Sequence, residues 1–70
     1  MTIKDKLVYF SSHGFSVKYI AEQMGVDPST LTKWLRGEKG ITHKNEEKLL
    51  VTLQTIIKDF NLILEDDNYG

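Results

Sequence analysis

The stretch GVDPSTLTKWLRG, residues 25–37, confines a short helix between two glycines and limits what the chain can fold into. Asp27 is a favoured N-cap residue, and Pro28 suits the first helical turn because its missing N–H would have no partner there. Gly37 ends the helix. Only one side of this helix is apolar, with Leu31, Trp34 and Leu35. The opposite side is polar and weakly basic: Ser29, Thr30, Thr32, Lys33 and Arg36.

Similar start and stop signals divide the rest of the chain into three more helices, so the sequence predicts an all-α fold. Thr2 and Asp5 form a short capping box for the first helix, which ends near Gly14. Ser16 caps the second. A long fourth helix runs from about 45 to about 64, capped by Asn45 or Thr42. Residues 65–70 are expected to be a frayed acidic tail, and Ile41 in the loop 37–45 is expected to reach the core.

Length and composition favour a single small domain over residues 1–70. The chain contains no cysteine, so it has neither a disulfide framework nor a thiolate metal site, and a cytoplasmic location fits. The opening MTIKDKLVYF has charges inside its apolar pattern, unlike a signal peptide, and no run is long enough for a membrane span. A domain of this size is only marginally stable alone, which makes oligomerisation a natural aid.

The formal net charge of −1 conceals an uneven distribution. Residues 1–50 carry a net +2, and residues 51–70 carry −3. The basic side chains therefore lie around the short helix, and the acidity lies at the other end of the chain. Ordinary scatter of surface charge is the alternative explanation.

The spacing around Gly25 indicates two short helices joined by a tight turn. Ala21, four residues before it, allows close helix approach, and Leu31, six residues after it, contributes to the shared core. Glycine itself suits the turn conformation. This pattern resembles the helix-turn-helix of DNA-binding proteins. In more detail, VKYIAEQMGVDPSTLTKWLRG resembles the motif of Cro/CI-like (XRE family) phage and bacterial repressors. The matching positions are Ala21, Met24, Gly25, Leu31, Trp34 and Gly37.

The resemblance implies a compact four- to five-helix bundle of the lambda-repressor-like type, with its helix-turn-helix over 17–36. It also implies that the helix after Asp27 enters the major groove of double-stranded DNA. By family position, the base-reading residues would be Ser29, Thr30, Thr32 and Lys33, with Thr32 at either the groove wall or in solvent. The phosphate-contacting residues would be Lys18, Arg36, Lys39 and Lys44. A solvated polar face is the alternative for both sets.

Two positions depart from the family pattern. Pro28 stands where relatives often carry a polar, base-reading side chain, and Val17 stands where they often place a glutamine against a phosphate. Proline cannot donate a hydrogen bond, so direct readout at that position is expected to be poorer. Lys18 could replace the lost phosphate contact.

The fourth helix carries more apolar residues than one packing face needs. One line is Leu49, Leu53, Ile56, Phe60 and Ile63, and a second is Leu50, Ile57 and Leu64. A surplus stripe of this kind indicates an interface, although both lines could simply be core. We therefore expect a homodimer that uses Leu53, Ile57, Phe60 and Leu64. Its two recognition helices would lie about 34 Å apart, the spacing of successive major grooves.

The sequence thus predicts a DNA-binding transcriptional regulator, a repressor acting as a homodimer on a two-fold symmetric operator. The alternative is a helix-turn-helix protein-interaction module, either an antirepressor or the partner of another regulator. A third possibility is DNA binding for packaging or recombination, in which the module recruits other phage proteins. We expect no enzyme, cofactor or metal site. The two histidines, His13 and His43, lack metal-ligand spacing, and GEKG lacks the spacing of a phosphate-binding loop.

Overall fold

A computed structural model describes residues 1–66 and contains four α-helices in that range. They are α1 (Ile3–Ser12), α2 (Val17–Met24), α3 (Pro28–Arg36) and α4 (His43–Glu65). No strand lies within residues 1–66, and the predicted all-α bundle is confirmed. Helix α4 starts two residues earlier than predicted and includes Glu65, which the sequence assigned to the tail. The remainder of the predicted tail, residues 67–70, lies outside the described residues.

Local hydrogen bonds begin each helix after a residue that the sequence indicated as a possible N-cap. The Thr2 and Asp5 side chains each accept a hydrogen bond from the other residue's backbone N–H, at 3.1 and 2.9 Å, which completes the capping box. The Ser16 hydroxyl accepts from the Tyr19 N–H. Thr42, rather than Asn45, caps α4, because the Thr42 hydroxyl accepts from the Asn45 N–H.

One apolar core lies between the helices. Helix α2 packs against α3 and α4, and α1 packs against the same two helices. Ile41 packs against this core from the loop, as the sequence predicted. The polar side of α3 is left facing away from the core. The buried apolar residues are Leu7, Ile20, Ala21, Met24, Leu31, Trp34, Leu49, Leu53 and Ile56.

The four residues of the predicted dimer interface differ in how far they are exposed on the monomer. Leu53 is only 2% exposed and belongs to the core of its own bundle, so it would offer a partner very little surface. Phe60 is 42% exposed, and its ring lies against two rings of the same chain: Phe15 at 5.2 Å and Tyr19 at 6.4 Å between centroids. Ile57 and Leu64 remain exposed, at 40% and 83%. Two of the four predicted interface residues, Leu53 and Phe60, therefore contact other parts of their own chain.

Gly25 makes the turn between α2 and α3 possible. Its φ is +80°, and its N–H donates to the carbonyl of Ala21 at 2.8 Å while the next N–H, that of Val26, donates to the same carbonyl at 3.0 Å. These bonds satisfy a carbonyl that the end of the helix would otherwise leave unpaired.

Replacing Gly25 with alanine is expected to lower the free energy of unfolding by about 1–2 kcal/mol, the cost of a left-handed L-residue. A Cβ would meet nothing within 4 Å there, so the cost is conformational and not steric. Gly40→Ala is the matched control, because a Cβ at Gly40 also meets nothing and its φ is not positive. Urea unfolding of both variants measures the difference. Equal stability of the two would contradict the assignment.

Candidate nucleic-acid interface

The outward side of α3 is a polar surface held in place by the core behind it. Leu31 and Trp34 are buried at 0% and 1% exposure, which fixes the rotation of the helix. Ser29, Lys33 and Arg36 are exposed. They are spaced four and three residues apart, so they share one side of the helix, opposite the buried pair. A hydroxyl, an ammonium and a guanidinium therefore line a surface that nothing in the bundle covers.

The two threonines predicted to read bases are placed differently from Ser29 and Lys33. Thr30 and Thr32 are half-buried, at the margins of the exposed side. The Thr32 hydroxyl also donates to the carbonyl of Pro28 at 3.2 Å. Since a hydroxyl has one proton, Thr32 can then only accept a hydrogen bond from a further group.

A carboxylate stands at the N-terminus of this helix. Asp27 caps α3 by accepting from the Ser29 N–H at 2.8 Å, and the Thr30 N–H bonds the Asp27 carbonyl at 3.0 Å. The backbone hydrogen bond from Ser29, the hydrogen bond from its side chain and the nearby Lys33 all lower the pKa of the Asp27 carboxyl. The helix start is thus capped internally, with a negative charge close to the surface that would meet DNA.

This cap makes a contribution to stability that depends on pH. Because the folded pKa of Asp27 lies below its ordinary value of 3.8, the contribution is present above that value and is lost as pH falls through the folded pKa. Asp27→Asn keeps a residue that caps well but removes the titration. We expect the unfolding free energy of this variant to fall less than that of the wild type between pH 5 and pH 2, measured by urea unfolding at each pH. Parallel curves would contradict this reading.

The predicted phosphate-contacting residues are all exposed and lie on different elements. Lys18 is in α2, Lys39 is in the α3–α4 loop, and Lys44 is in the first turn of α4. The Arg36 guanidinium lies 3.9 Å from the Glu38 carboxylate, and both side chains are more than half exposed. Surface pairs of this kind are weak, so Arg36 stays available to a phosphate.

Lys4, which the sequence did not single out, is brought close to the same end of α3. Its Nζ lies 3.9 Å from the position that a Cβ on Gly37 would take, so the ammonium sits at the C-terminal end of α3. Lys4 and Lys39 also border the same shallow cleft. No local pattern could have indicated this, because Lys4 is 33 residues from Gly37 along the chain and only the packing of α1 on α3 brings them together.

His43, one of the two histidines considered as metal ligands, contacts carboxylates on its own helix. The His43 ring nitrogens lie 3.9 Å from Glu46 and 3.1 Å from Glu47, on the exposed surface of the first turns of α4. Across residues 1–66, no group of three or more His, Cys, Asp or Glu is arranged to hold a metal ion. In the same range, no helix combines the length and apolarity that crossing a bilayer requires.

A family model described as helix-turn-helix matches residues 11–55, more than half of the chain. The match runs from the end of α1 through α2 and α3 into α4, and so includes the turn at Gly25 and the exposed side of α3. No curated protein and no solved structure matches the chain. The matched family is one of DNA-binding regulators and not of enzymes. With the buried core, the capped turn and the outward polar helix in place, the chain belongs to the Cro/CI-like (XRE) helix-turn-helix family.

Proposed function

We propose that this DNA-binding regulator represses transcription by binding, as a homodimer, a two-fold symmetric operator. The observation that carries the proposal is the outward side of α3. Ser29 is exposed near the start of the helix and Lys33 near its middle, while Leu31 and Trp34 hold the helix against the bundle. A helix presented in this way fits the major groove, where lysine can donate to guanine O6 and N7 and a serine hydroxyl can pair with either base type.

Phosphate contacts would fix the position of the bundle on the duplex. Arg36 at the end of α3, Lys39 in the loop and Lys4 on α1 lie at one end of the recognition helix. Lys18 and Lys44 add charge from α2 and α4. The number of such contacts per monomer is small, and Asp27 opposes them, so a single bundle would bind weakly. Two bundles on one operator would add their contacts, which favours a dimer.

Repression needs little beyond occupancy of the operator. The described residues form one bundle with one basic, outward helix, and a protein that blocks its site needs no further activity. The exposed apolar residues Ile57 and Leu64 lie in the C-terminal half of α4, whereas Lys44, the proposed phosphate contact on this helix, lies in its first turn. Pairing through α4 would leave both recognition helices free to enter successive major grooves, about 34 Å apart.

Selection from a random duplex library at about physiological salt tests the proposal. An enriched site with two-fold symmetric halves about one helical turn apart would support a homodimeric regulator and identify its operator. A single unrepeated half-site would keep sequence-specific binding but overturn the symmetric dimer. If nothing is enriched, the DNA-binding proposal fails and the chain is better explained as a protein-interaction module. Placing the selected site over a reporter promoter then tests repression, which increased expression would contradict.

The role of Lys4 gives a separate expected result. Lys4→Gln should weaken binding about equally to selected and unrelated duplexes, and should reduce the slope of log affinity against log salt by about 1. Lys58→Gln removes the same charge from an exposed position on α4 and serves as the control. Titrations at several salt concentrations measure the slope. If the slopes of the two variants agree, Lys4 makes no phosphate contact.

A further inference from the structure

A groove runs between α1 and α4, away from α3. Phe10 and Lys6 line it from α1, and Leu50, Leu53, Gln54 and Ile57 line it from α4. Its volume is about 400 Å³, and its lining is mainly apolar. None of the lining residues belongs to α2 or α3, so a molecule in this groove would leave the recognition helix uncovered.

The C-terminal end of α4 carries an apolar side chain that its own bundle leaves mostly exposed. Leu64 is 83% exposed, while Ile57, seven residues earlier, is 40% exposed and Leu50, seven residues before that, is half-buried. Residues seven apart lie on nearly the same side of a helix, with a drift of about 20° per heptad. The three therefore form one stripe that starts in the groove and continues past it.

We propose that the groove of each chain receives the end of α4 from a second copy, with the two α4 helices antiparallel and the two-fold axis beside Ile57. This inference rests on the homodimer proposed above and names its interface. Leu50 and Leu64 are equally distant from Ile57 along the sequence. The axis therefore brings Leu64 of each chain to Leu50 of the other, and Ile57 to its own symmetry mate.

Two features favour a second copy of the chain in this antiparallel arrangement. Leu64 of each chain then fills the groove beside Leu50 of the other chain. The same contact forms twice, as an isologous interface requires. A parallel pair would set Leu64 against Leu64 and leave both grooves empty. Charge favours the same choice, because Lys6 borders the groove and Glu65 follows Leu64, whereas parallel helices would bring the two Glu65 carboxylates together.

Engineered cysteines can test this register without background, since the chain has no cysteine of its own. Leu50→Cys and Leu64→Cys are made in separate full chains, one of them tagged so that a mixed product differs in size. After the two are mixed and oxidised, we expect the mixed disulfide. Neither variant alone should cross-link. In the antiparallel register two copies of residue 50, or two of residue 64, lie about 21 Å apart along the helices, and a disulfide cannot bridge Cα atoms more than about 7 Å apart.

Val51→Cys and Leu62→Cys provide the matched controls. Both residues are exposed, at 58% and 56%, and each is turned by more than a quarter of a helical turn away from the stripe, so the proposal expects no cross-link from either. Cross-linking of Leu64→Cys with itself would overturn the antiparallel register. A disulfide yield from the control variants equal to that of the mixed Leu50→Cys and Leu64→Cys pair would also overturn it.

Sedimentation equilibrium of the unmodified chain separates this inference from the proposed function. A dimer whose cysteine variants cross-link in another pattern would overturn only the register. A monomer at every concentration tested would overturn the homodimer together with its interface. Sequence-specific binding is judged separately by the duplex selection, so it can stand or fail independently of both results.

Discussion

Replacing both Lys33 and Arg36 with glutamate is expected to abolish specific DNA binding while leaving the bundle folded. Lys33 is exposed on the side of α3 that would meet base edges, and Arg36 lies one turn further along at the phosphate end. Two lost contacts of about 1–3 kcal/mol each would weaken binding by roughly 30- to 20,000-fold. Repulsion between the new carboxylates and the phosphates would add to this loss. Fluorescence anisotropy with the selected duplex measures the change.

The control for this experiment is Lys48→Glu with Lys58→Glu. Both lysines are exposed on α4, and the pair changes the net charge by the same amount. If the effect is local to α3, the control keeps most of its affinity at physiological salt. Helix content by circular dichroism should match the wild type for both variants. Equal losses of affinity in the α3 variant and the α4 control would show that only the overall charge matters. If the α3 variant keeps its affinity, the DNA-binding surface does not include Lys33 and Arg36.

Removing the Trp34 side chain is expected to unfold the domain. Trp34 is 1% exposed and is the largest fully buried side chain of the described core. Truncation of a buried tryptophan to alanine costs about 3–5 kcal/mol, and the whole stability of a small domain is only about 5 kcal/mol or somewhat more. We therefore expect Trp34→Ala to lose its cooperative unfolding transition near room temperature. Circular dichroism is the suitable probe, because Trp34 is the chain's only tryptophan and its replacement removes the tryptophan fluorescence that could otherwise follow unfolding.

Trp34→Phe separates the loss of volume from the loss of the indole N–H. The Nε1 atom of Trp34 is buried and has no hydrogen-bond partner among the described residues, so deleting it breaks no bond. Phenylalanine keeps much of the apolar contact, and the variant should stay folded with a smaller loss of stability than the alanine variant. If phenylalanine destabilises the domain as much as alanine, the N–H has a role that the packing does not explain.

Local hydrogen bonding explains why so much of the fold could be predicted. The caps at Thr2, Ser16 and Asp27 each bond a backbone N–H two or three residues away, so the sequence window that specifies them is very short. The turn at Gly25 needs a left-handed residue, which glycine supplies without strain. The cap of α4 was ambiguous because Thr42 and Asn45 both suit an N-cap.

The candidate site could be predicted only in part. Helical periodicity distinguishes the polar side of α3 from its buried side, and this placed Ser29 and Lys33 outward. It does not distinguish the centre of that side from its margins, where Thr30 and Thr32 are half-buried. Lys4 was missed for a different reason, because its position beside Gly37 depends on how α1 packs against α3.

From the amino-acid pattern alone, one can predict where helices begin and end, which side of each helix is apolar, and that two short helices meet at a glycine turn. These properties depend on neighbours within about one helical turn. Tertiary packing, in contrast, determined which of the two apolar lines on α4 is covered. It buried Leu53, placed Phe60 against Phe15, and left Ile57 and Leu64 exposed. The packing of α1 and α2 against α4 sets this pattern of burial. Burial depends on which helices approach α4 in space, and the periodicity of apolar residues along α4 does not specify those helices.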